Sequence, residues 1–199
     1  MIKTHIEGGT FFKPLFFEFP EDEGAYLGQT FNVMVGSSLK LAFNSQELTD
    51  LSKFYYPEGT WCNIITTANY SVDCINADKS QNISSSSHLG DVYADLREGR
   101  IIPFQNVTYM IQQQNKKINN THNLKYESTD FLILPNCNGS ICSAEGDFYN
   151  DNDTAAILTD EINKYKLTYE HDFINNPNEF SLNVTTLELA KAHENNVIN

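Results

Sequence analysis

The sequence predicts an all-β protein made of two antiparallel β-sandwich domains with few short helices. Three observations carry that expectation: short apolar runs recur along the whole chain, Gly, Pro, Asn and Asp residues separate them, and period-two alternation appears where the runs lengthen. With 199 residues the chain can bury one sizeable core or two small ones. Its 40% hydrophobic and 20% charged residues make a globular composition, not a disordered one.

In chain order, Pro14 and Pro20 bound the run Leu15 to Phe19, which is too short for a helix and reads as a core strand interrupted by Glu18. Its side chains need cover, because each of Leu15, Phe16, Phe17 and Phe19 forgoes about 1.5 to 3 kcal/mol if left wet. Strands are expected next at Phe31 to Val35, Leu39 to Phe43, Phe54 to Tyr56, Trp61 to Thr67 and Val92 to Leu96. Asn82 to Ser87 reads as a polar loop, and Asn136 to Cys142 as a tight, disulfide-prone turn. In the second half, strands are expected at Arg100 to Phe104, Val107 to Gln113, Phe131 to Leu134, Lys164 to Glu170 and Phe180 to Thr186. Tyr165, Leu167 and Tyr169, then Phe180, Leu182 and Val184, alternate as half-buried antiparallel strands require. Two short helices are expected, at Ala155 to Tyr165 and Leu187 to His193. Many strands without intervening helices favour sandwich architecture, with one domain over residues 1–103 and a second over 104–199, meeting near Pro103.

Charge and composition exclude several classes. A net charge of −13, with acids outnumbering bases twofold, disfavours nucleic acid as a partner, since phosphate binding is driven by Lys and Arg. It suits solubility or an acidic compartment. No stretch approaches the roughly 20 apolar residues that a membrane-spanning helix needs. Asn-x-Ser/Thr triplets occur at Asn69, Asn82, Asn106, Asn119, Asn138, Asn152 and Asn183, making seven glycosylation candidates. Chance placement in so Asn-rich a chain gives roughly three or four. The four cysteines, Cys62, Cys74, Cys137 and Cys142, allow three pairings, of which Cys62 with Cys74 and Cys137 with Cys142 closes the shortest loops. Their gaps are too long for a zinc motif and no histidine is placed to help. Acceptor triplets and paired cysteines point to an oxidising lumen: the secretory pathway, a lysosome-like compartment or the extracellular space. The opening residues have no signal-peptide pattern, so any targeting segment is expected upstream of Met1.

Five stretches then occur in an order that resembles one known family. "GGTFFKPLFFEFPED" is similar to the "G…RPLFFEFPxD" signature of glycoside hydrolase family 31, and "QTFNVMVGSSLKLAF" to that family's "QFxxGxxLLxxPV" segment. "YYPEGTWCNI" resembles its "YFPxGxWYD" element, "LREGRIIPFQN" its "RGGxIIPxQ" turn and "EGDFYNDND" its "GxLFxDDGE" loop. The resemblance covers about Thr4 to Asp153 and implies the two C-terminal β domains of a retaining α-glucosidase-like enzyme. In that family the proximal domain packs on a (β/α)8 barrel that carries the nucleophilic and acid/base aspartates. The resemblance therefore implies a catalytic barrel, of the same precursor or a companion chain, as partner. The opening residues would then be the tail of the last barrel helix. Lys13 replaces an arginine, "LKLAF" lacks the proline of "PV", Cys62 replaces an aromatic, and "YNDNDTA" lacks a glycine. The last family strands are missing from the distal domain, so the expectation is a fragment of a longer precursor or a divergent subunit, with a carbohydrate-binding or structural subunit as the alternative.

No catalytic, cofactor-binding or metal-ligating residue is expected in this chain. Glu18 and the cluster Glu21, Asp22 and Glu23 could supply the two acids of glycosidic chemistry, but they read better as a solvated turn after a strand. Asp151 and Asp153 resemble the start of a calcium loop that lacks its glycine and closing glutamate. Trp61, Tyr55 and Tyr56 could stack on a sugar ring, yet the "PEGTW" match places the tryptophan in the sandwich core. His5, His88, His122, His171 and His193 form no catalytic grouping, and no G-x-S-x-G motif is present.

Overall fold

The structure is a computed structural model that describes residues 2–27, 32–43, 51–67, 73–86, 92–112, 114–118, 120–124, 126–151 and 162–188. These form two compact units, Met1–Arg100 with Leu134–Asn138, and Ile101–Ile133 with Gly139–Asn199. Each has its own buried cluster.

The first unit opens with a short helix, α1 (Ile2–Glu7), and a two-residue strand, β1 (Phe12–Lys13). The expected strand over Leu15 to Phe19 is instead a 3₁₀ turn, Leu15–Phe17. Pro14 sets φ at −55°, and the N–H groups of Phe17 and Glu18 donate back to the carbonyls of Pro14 and Leu15 at 3.1 and 3.0 Å. The backbone is thus satisfied locally, without a ladder partner. The turn brings Leu15, Phe16 and Phe19 onto the core, a spacing that period-two alternation cannot produce. A second 3₁₀ turn, Glu23–Tyr26, is capped by Asp22, whose Oδ1 accepts the Gly24 N–H at 3.0 Å.

Strands β2 (Asn32–Val35) and β3 (Leu39–Phe43) form a hairpin through Gly36, which adopts φ +62° at the turn. After them come β4 (Leu51–Tyr56), β5 (Gly59–Asn63), β6 (Cys74–Ala77), β7 (Gln81–Ser86) and β8 (Val92–Arg97). One sheet has the order β1-β2-β3-β8-β5-β6, and β4 with β7 makes a second. The described pairings are antiparallel. Phe54 and Tyr56 of the small sheet meet Met34, Ala42, Trp61 and Ala77 of the large one in a single buried cluster, which makes the unit a β-sandwich.

Two further expectations change here. The strand expected through Thr67 stops at Asn63, whose Oδ1 accepts the Ile65 N–H at 2.9 Å and starts one helical turn, α2 (Ile64–Thr67). The polar stretch expected as a loop at Asn82 to Ser87 is strand β7 as far as Ser86, with Ser87 outside the described residues. It pairs with β4 from Leu51↔Ser86 to Tyr56↔Gln81, and its one apolar residue, Ile83, sits opposite Phe54 against the core. A two-stranded layer needs only that much apolar contact when its partner strand supplies the rings.

In the second unit, β9 (Arg100–Phe104) leads into α3 (Val107–Gln112), where a strand was expected, and then α4 (Thr121–Leu124). Asn106 decides the outcome for α3, since its Oδ1 accepts the Tyr109 N–H at 2.9 Å and Met110 alone of the helix is buried. β10 (Asp130–Leu134) follows, then β11 (Asn136–Asn138), which belongs to the first unit, and β12 (Ile141–Asp151), β13 (Ile162–Asp172) and β14 (Phe180–Glu188). Their sheet has the order β10-β9-β12-β13-β14, and β12, β13 and β14 pair antiparallel. Ile101, Ala144 and Leu167 are its buried centre, with Phe131, Ile133, Phe148 and Tyr169 packed around them. Ile162 to Tyr165, expected as the end of a helix, lies in β13 because Tyr165, Leu167 and Tyr169 alternate toward that core. Ala155 to Glu161 lies outside the described residues. Leu187 and Glu188, expected to start the last helix, continue β14, and the remainder of that segment lies outside the described residues.

Candidate interaction surface and the acidic groove

The proline-bounded opening divides its rings between two environments. Leu15 is buried, and Phe16 and Phe19 pack on the core, but Phe17 is 55% exposed, Tyr26 54% and Leu27 72%. Phe16 links the exposed rings: Tyr26 stacks on it at 4.9 Å with planes 14° apart, and Phe17 meets it edge-on at 5.0 Å. The Tyr26 hydroxyl donates to the Pro20 carbonyl at 3.0 Å, which fixes the ring against the turn. Phe12 on β1 is exposed as well. Such an ordered aromatic surface has the composition of an interface centre and little reason to face water.

Beside these turns lies an open groove of about 600 Å³, bordered by Glu18, Glu21, Asp22, Glu23, Glu58 and Glu98 with Arg97 among them. Several of its acids are already engaged. Glu18 pairs with Lys13 at 2.7 Å. Asp22 caps its 3₁₀ turn and accepts the Tyr55 hydroxyl at 2.5 Å. Glu98 accepts the Thr60 N–H at 2.9 Å. Burial and the bond to Asp22 push the Tyr55 hydroxyl up to about 12, so it stays a donor. Gly24 lets that ring approach, since a Cβ there would collide with Tyr55. Burial, with Arg100 nearby, lowers the Arg97 guanidinium, which lies 4.4 Å over the Phe19 ring. Glu18, Asp22 and Glu98 are thus held by an ion pair, a turn cap and a backbone N–H. Among the described residues no group of three His, Cys, Asp or Glu could hold a metal ion.

Trp61 and Tyr56 are fully buried and Tyr55 nearly so, so none offers a face to a sugar. Trp61 donates its indole N–H to the Pro57 carbonyl at 2.9 Å. Inside the same core sits a cluster that the sequence reading missed. Lys40 on β3 is fully buried directly opposite Asp95 on β8, with Nζ 3.9 Å from Oδ2 and 3.6 Å from the Tyr56 ring centroid. The Tyr56 hydroxyl donates to Asp95 Oδ2 at 2.8 Å, and Asn63 Nδ2 to Oδ1 at 3.4 Å. Burial lowers Lys40 to about 8 against the pull of Asp95, and burial raises Asp95 against the pull of Lys40. Both groups move toward neutrality, so desolvation outweighs their attraction. The available signal was Lys40 itself, a lysine where the motif it resembles has a second leucine.

Cys62 and Cys74 face each other across β5 and β6 and are disulfide-bonded, and Cys137 and Cys142 are disulfide-bonded too. Asn82, Asn138 and Asn183 are exposed and Asn106 is half-buried, while Asn69, Asn119 and Asn152 lie outside the described residues. Asp151 ends β12, and Asp153 lies outside the described residues. His171 is 3.5 Å from the Tyr169 hydroxyl and packs on Phe173, and His5 lies on α1. His88 and His193 lie outside the described residues, as does the His122 side chain. No described helix is long and apolar enough to cross a membrane.

Together these features define the first unit as an all-β module: a sandwich with exposed aromatic rings beside a groove in which Glu18, Asp22 and Glu98 are engaged. Residues 8–102 match the family model described as the Glycosyl hydrolase family 31 C-terminal domain, and this stretch of the chain is such a domain. A curated relative is the lysosomal alpha-glucosidase of Bos taurus, 27% identical over 128 residues that cover 58% of this chain and 13% of that protein. The chain thus spans a small part of the curated relative it matches. Similar solved structures include a Flavobacterium johnsoniae GH31 dextranase complexed with glucose, with TM-score 0.63, 20% identity, and coverage of 85% of this chain and 19% of that one. The Tris-bound glucosidase II alpha subunit gives TM-score 0.66 at 16% identity, over 86% of this chain and 18% of that one. These structures share the fold.

Proposed function

We propose that this chain is the C-terminal β-sandwich region of an α-glucosidase-like family 31 enzyme, and that it buttresses a catalytic (β/α)8 barrel carried by the same precursor or a companion chain. The rings of Phe17 and Tyr26, both packed on Phe16, carry the reading with Leu27, because Phe17 belongs to the family's "PLFFEFP" signature, Tyr26 and Leu27 end the turn after it, and all three are more than half exposed. Residues 1–103 form the proximal domain and 104–199 the distal one. The engaged acids support assigning hydrolysis of α-glucosidic bonds to the barrel and none of its chemistry to this region. The two disulfides and the lysosomal relative favour a lysosomal or secreted location.

The test is to isolate the native protein with antibodies to this region, then measure mass, peptide content and glucose release from maltose. The expected result is α-glucoside hydrolysis by material containing barrel peptides, and none by the 199-residue chain alone. A native species consisting of this chain only and lacking activity would overturn the buttress reading.

A further inference from the structure

The acceptor triplets with described asparagines do not share one environment. Asn183 lies on β14 opposite Thr168, flanked by the pairs Ser181↔Glu170 and Thr185↔Lys166. Directly opposed residues of an antiparallel pair project from the same face, so this side of the β13–β14 pair is polar over these residues. Its other side carries the apolar pairs Leu182↔Tyr169 and Val184↔Leu167, of which Leu167 is buried and Tyr169 packs on the cluster, while Leu182 and Val184 are exposed. Asn183 is exposed, and Thr185, two residues on, projects beside it. The acceptor amide and the hydroxyl that defines the triplet therefore stand together on the solvated face. Asn82 is exposed on β7, and Asn138 is exposed immediately before the turn at Gly139, where φ is +63°.

Asn106 differs in each respect. Its Oδ1 caps α3 by accepting the Tyr109 N–H, the side chain is half-buried, and Thr108 is already wound into the helix. A glycan there would have to leave from Nδ2 of a half-buried side chain whose Oδ1 holds it against the first turn of α3.

We infer that Asn82, Asn138 and Asn183 carry N-linked glycans and that Asn106 does not, an assignment that rests on the secretory routing proposed above. In the transfer, the asparagine amide nitrogen forms a C–N bond to the anomeric carbon of an oligosaccharide carried on a lipid pyrophosphate. The bond from that carbon to the pyrophosphate oxygen breaks, the lipid pyrophosphate leaves, and the amide loses one proton. Asn183 then marks the free side of the distal sheet, opposite its apolar side.

Glycopeptide mapping in two arms tests this: the protein from its native source, and the chain secreted by a eukaryotic host behind a heterologous signal peptide. An amidase that cleaves Asn-linked glycans in ¹⁸O-water converts each occupied asparagine to labelled aspartate. The expected result is label at residues 82, 138 and 183 and an unmodified residue 106 in both arms, with Asn183→Gln removing one glycan mass from the secreted chain. Label at residue 106, or an unmodified Asn183 in the host arm, overturns the site assignment while leaving the routing intact. The expected pattern in the host arm with a bare native protein supports the site assignment and refutes the routing.

Discussion

Replacing Asp95 with asparagine tests the energetics of the proximal core most sharply. The substitution keeps the shape and removes the charge facing Lys40, which is fully buried with Oδ2 3.9 Å from its ammonium. At an effective dielectric of about 20, that separation is worth about 4 kcal/mol. The fall of Lys40 from 10.5 to about 8 shows that burial already costs its charged form roughly 3 kcal/mol net of Asp95. The Tyr56 face retains up to about 2 kcal/mol of cation attraction. Asp95→Asn is therefore expected to destabilise the unit by about 3 to 5 kcal/mol, the usual cost of breaking a buried pair from one side. Lys40→Met should cost about 1 kcal/mol, since Asp95 keeps its bonds from Tyr56 and Asn63 and accepts a proton readily when buried. The double variant should return to within about 1 kcal/mol of wild type, giving a coupling energy of at least about 2 kcal/mol. Urea unfolding followed by the single tryptophan, Trp61, reads this core directly, with the Tyr56 ring 6.3 Å away. The pH dependence has a definite sign. Between 8 and 10.5 the unfolded chain holds the lysine proton that the folded core releases, so wild type gains stability relative to Lys40→Met as pH rises through that window. An Asp95→Asn cost below about 0.5 kcal/mol, or strict additivity of the two substitutions, would refute this account of the core.

Three further outcomes are expected. Gly146→Ala drives a Cβ into the Ile101 backbone carbonyl and should cost the distal unit more than about 1 to 3 kcal/mol, seen as faster amide exchange in β9 and β12. Replacing Cys62 and Cys74 together by serine opens a link with a sequence separation of 12 and should cost about 3 kcal/mol by chain entropy, read as a lower urea midpoint for Trp61. Phe17→Asp should leave the stability of the isolated chain within about 0.5 kcal/mol while weakening its association with a family 31 barrel at least tenfold, measured by co-purification.

Alternation made the strands legible where both partners of a pair carry it, as in β13 and β14. The face it hides is less readable: in β3 the core side takes Lys40 and Ala42, while Leu39, Leu41 and Phe43 lie at intermediate exposure, so "LKLAF" points its obvious residues the other way. "PLFFEFP" has a strand's composition, but Pro14 and local carbonyls close it into a turn. "VTYMIQQ" has strand propensity and loses to one capping asparagine. "QNISSS" becomes a strand because Phe54, Tyr55 and Tyr56 opposite it supply the apolar contact. The exposed aromatic face was half legible: the need to cover the rings followed from sequence, but which rings remain outside required the turn geometry. Lys40 and Asp95 are 55 residues apart in sequence, and only the β3 to β8 pairing brings them opposite each other.

Hydroxyl-radical footprinting of Phe17 and Tyr26, in the native protein and in the 199-residue chain alone, tests the buttress most directly. Both rings should label rapidly in the isolated chain and at least several-fold more slowly in the native material. Equal labelling in the two would mean that nothing docks on this face, and would contradict the account.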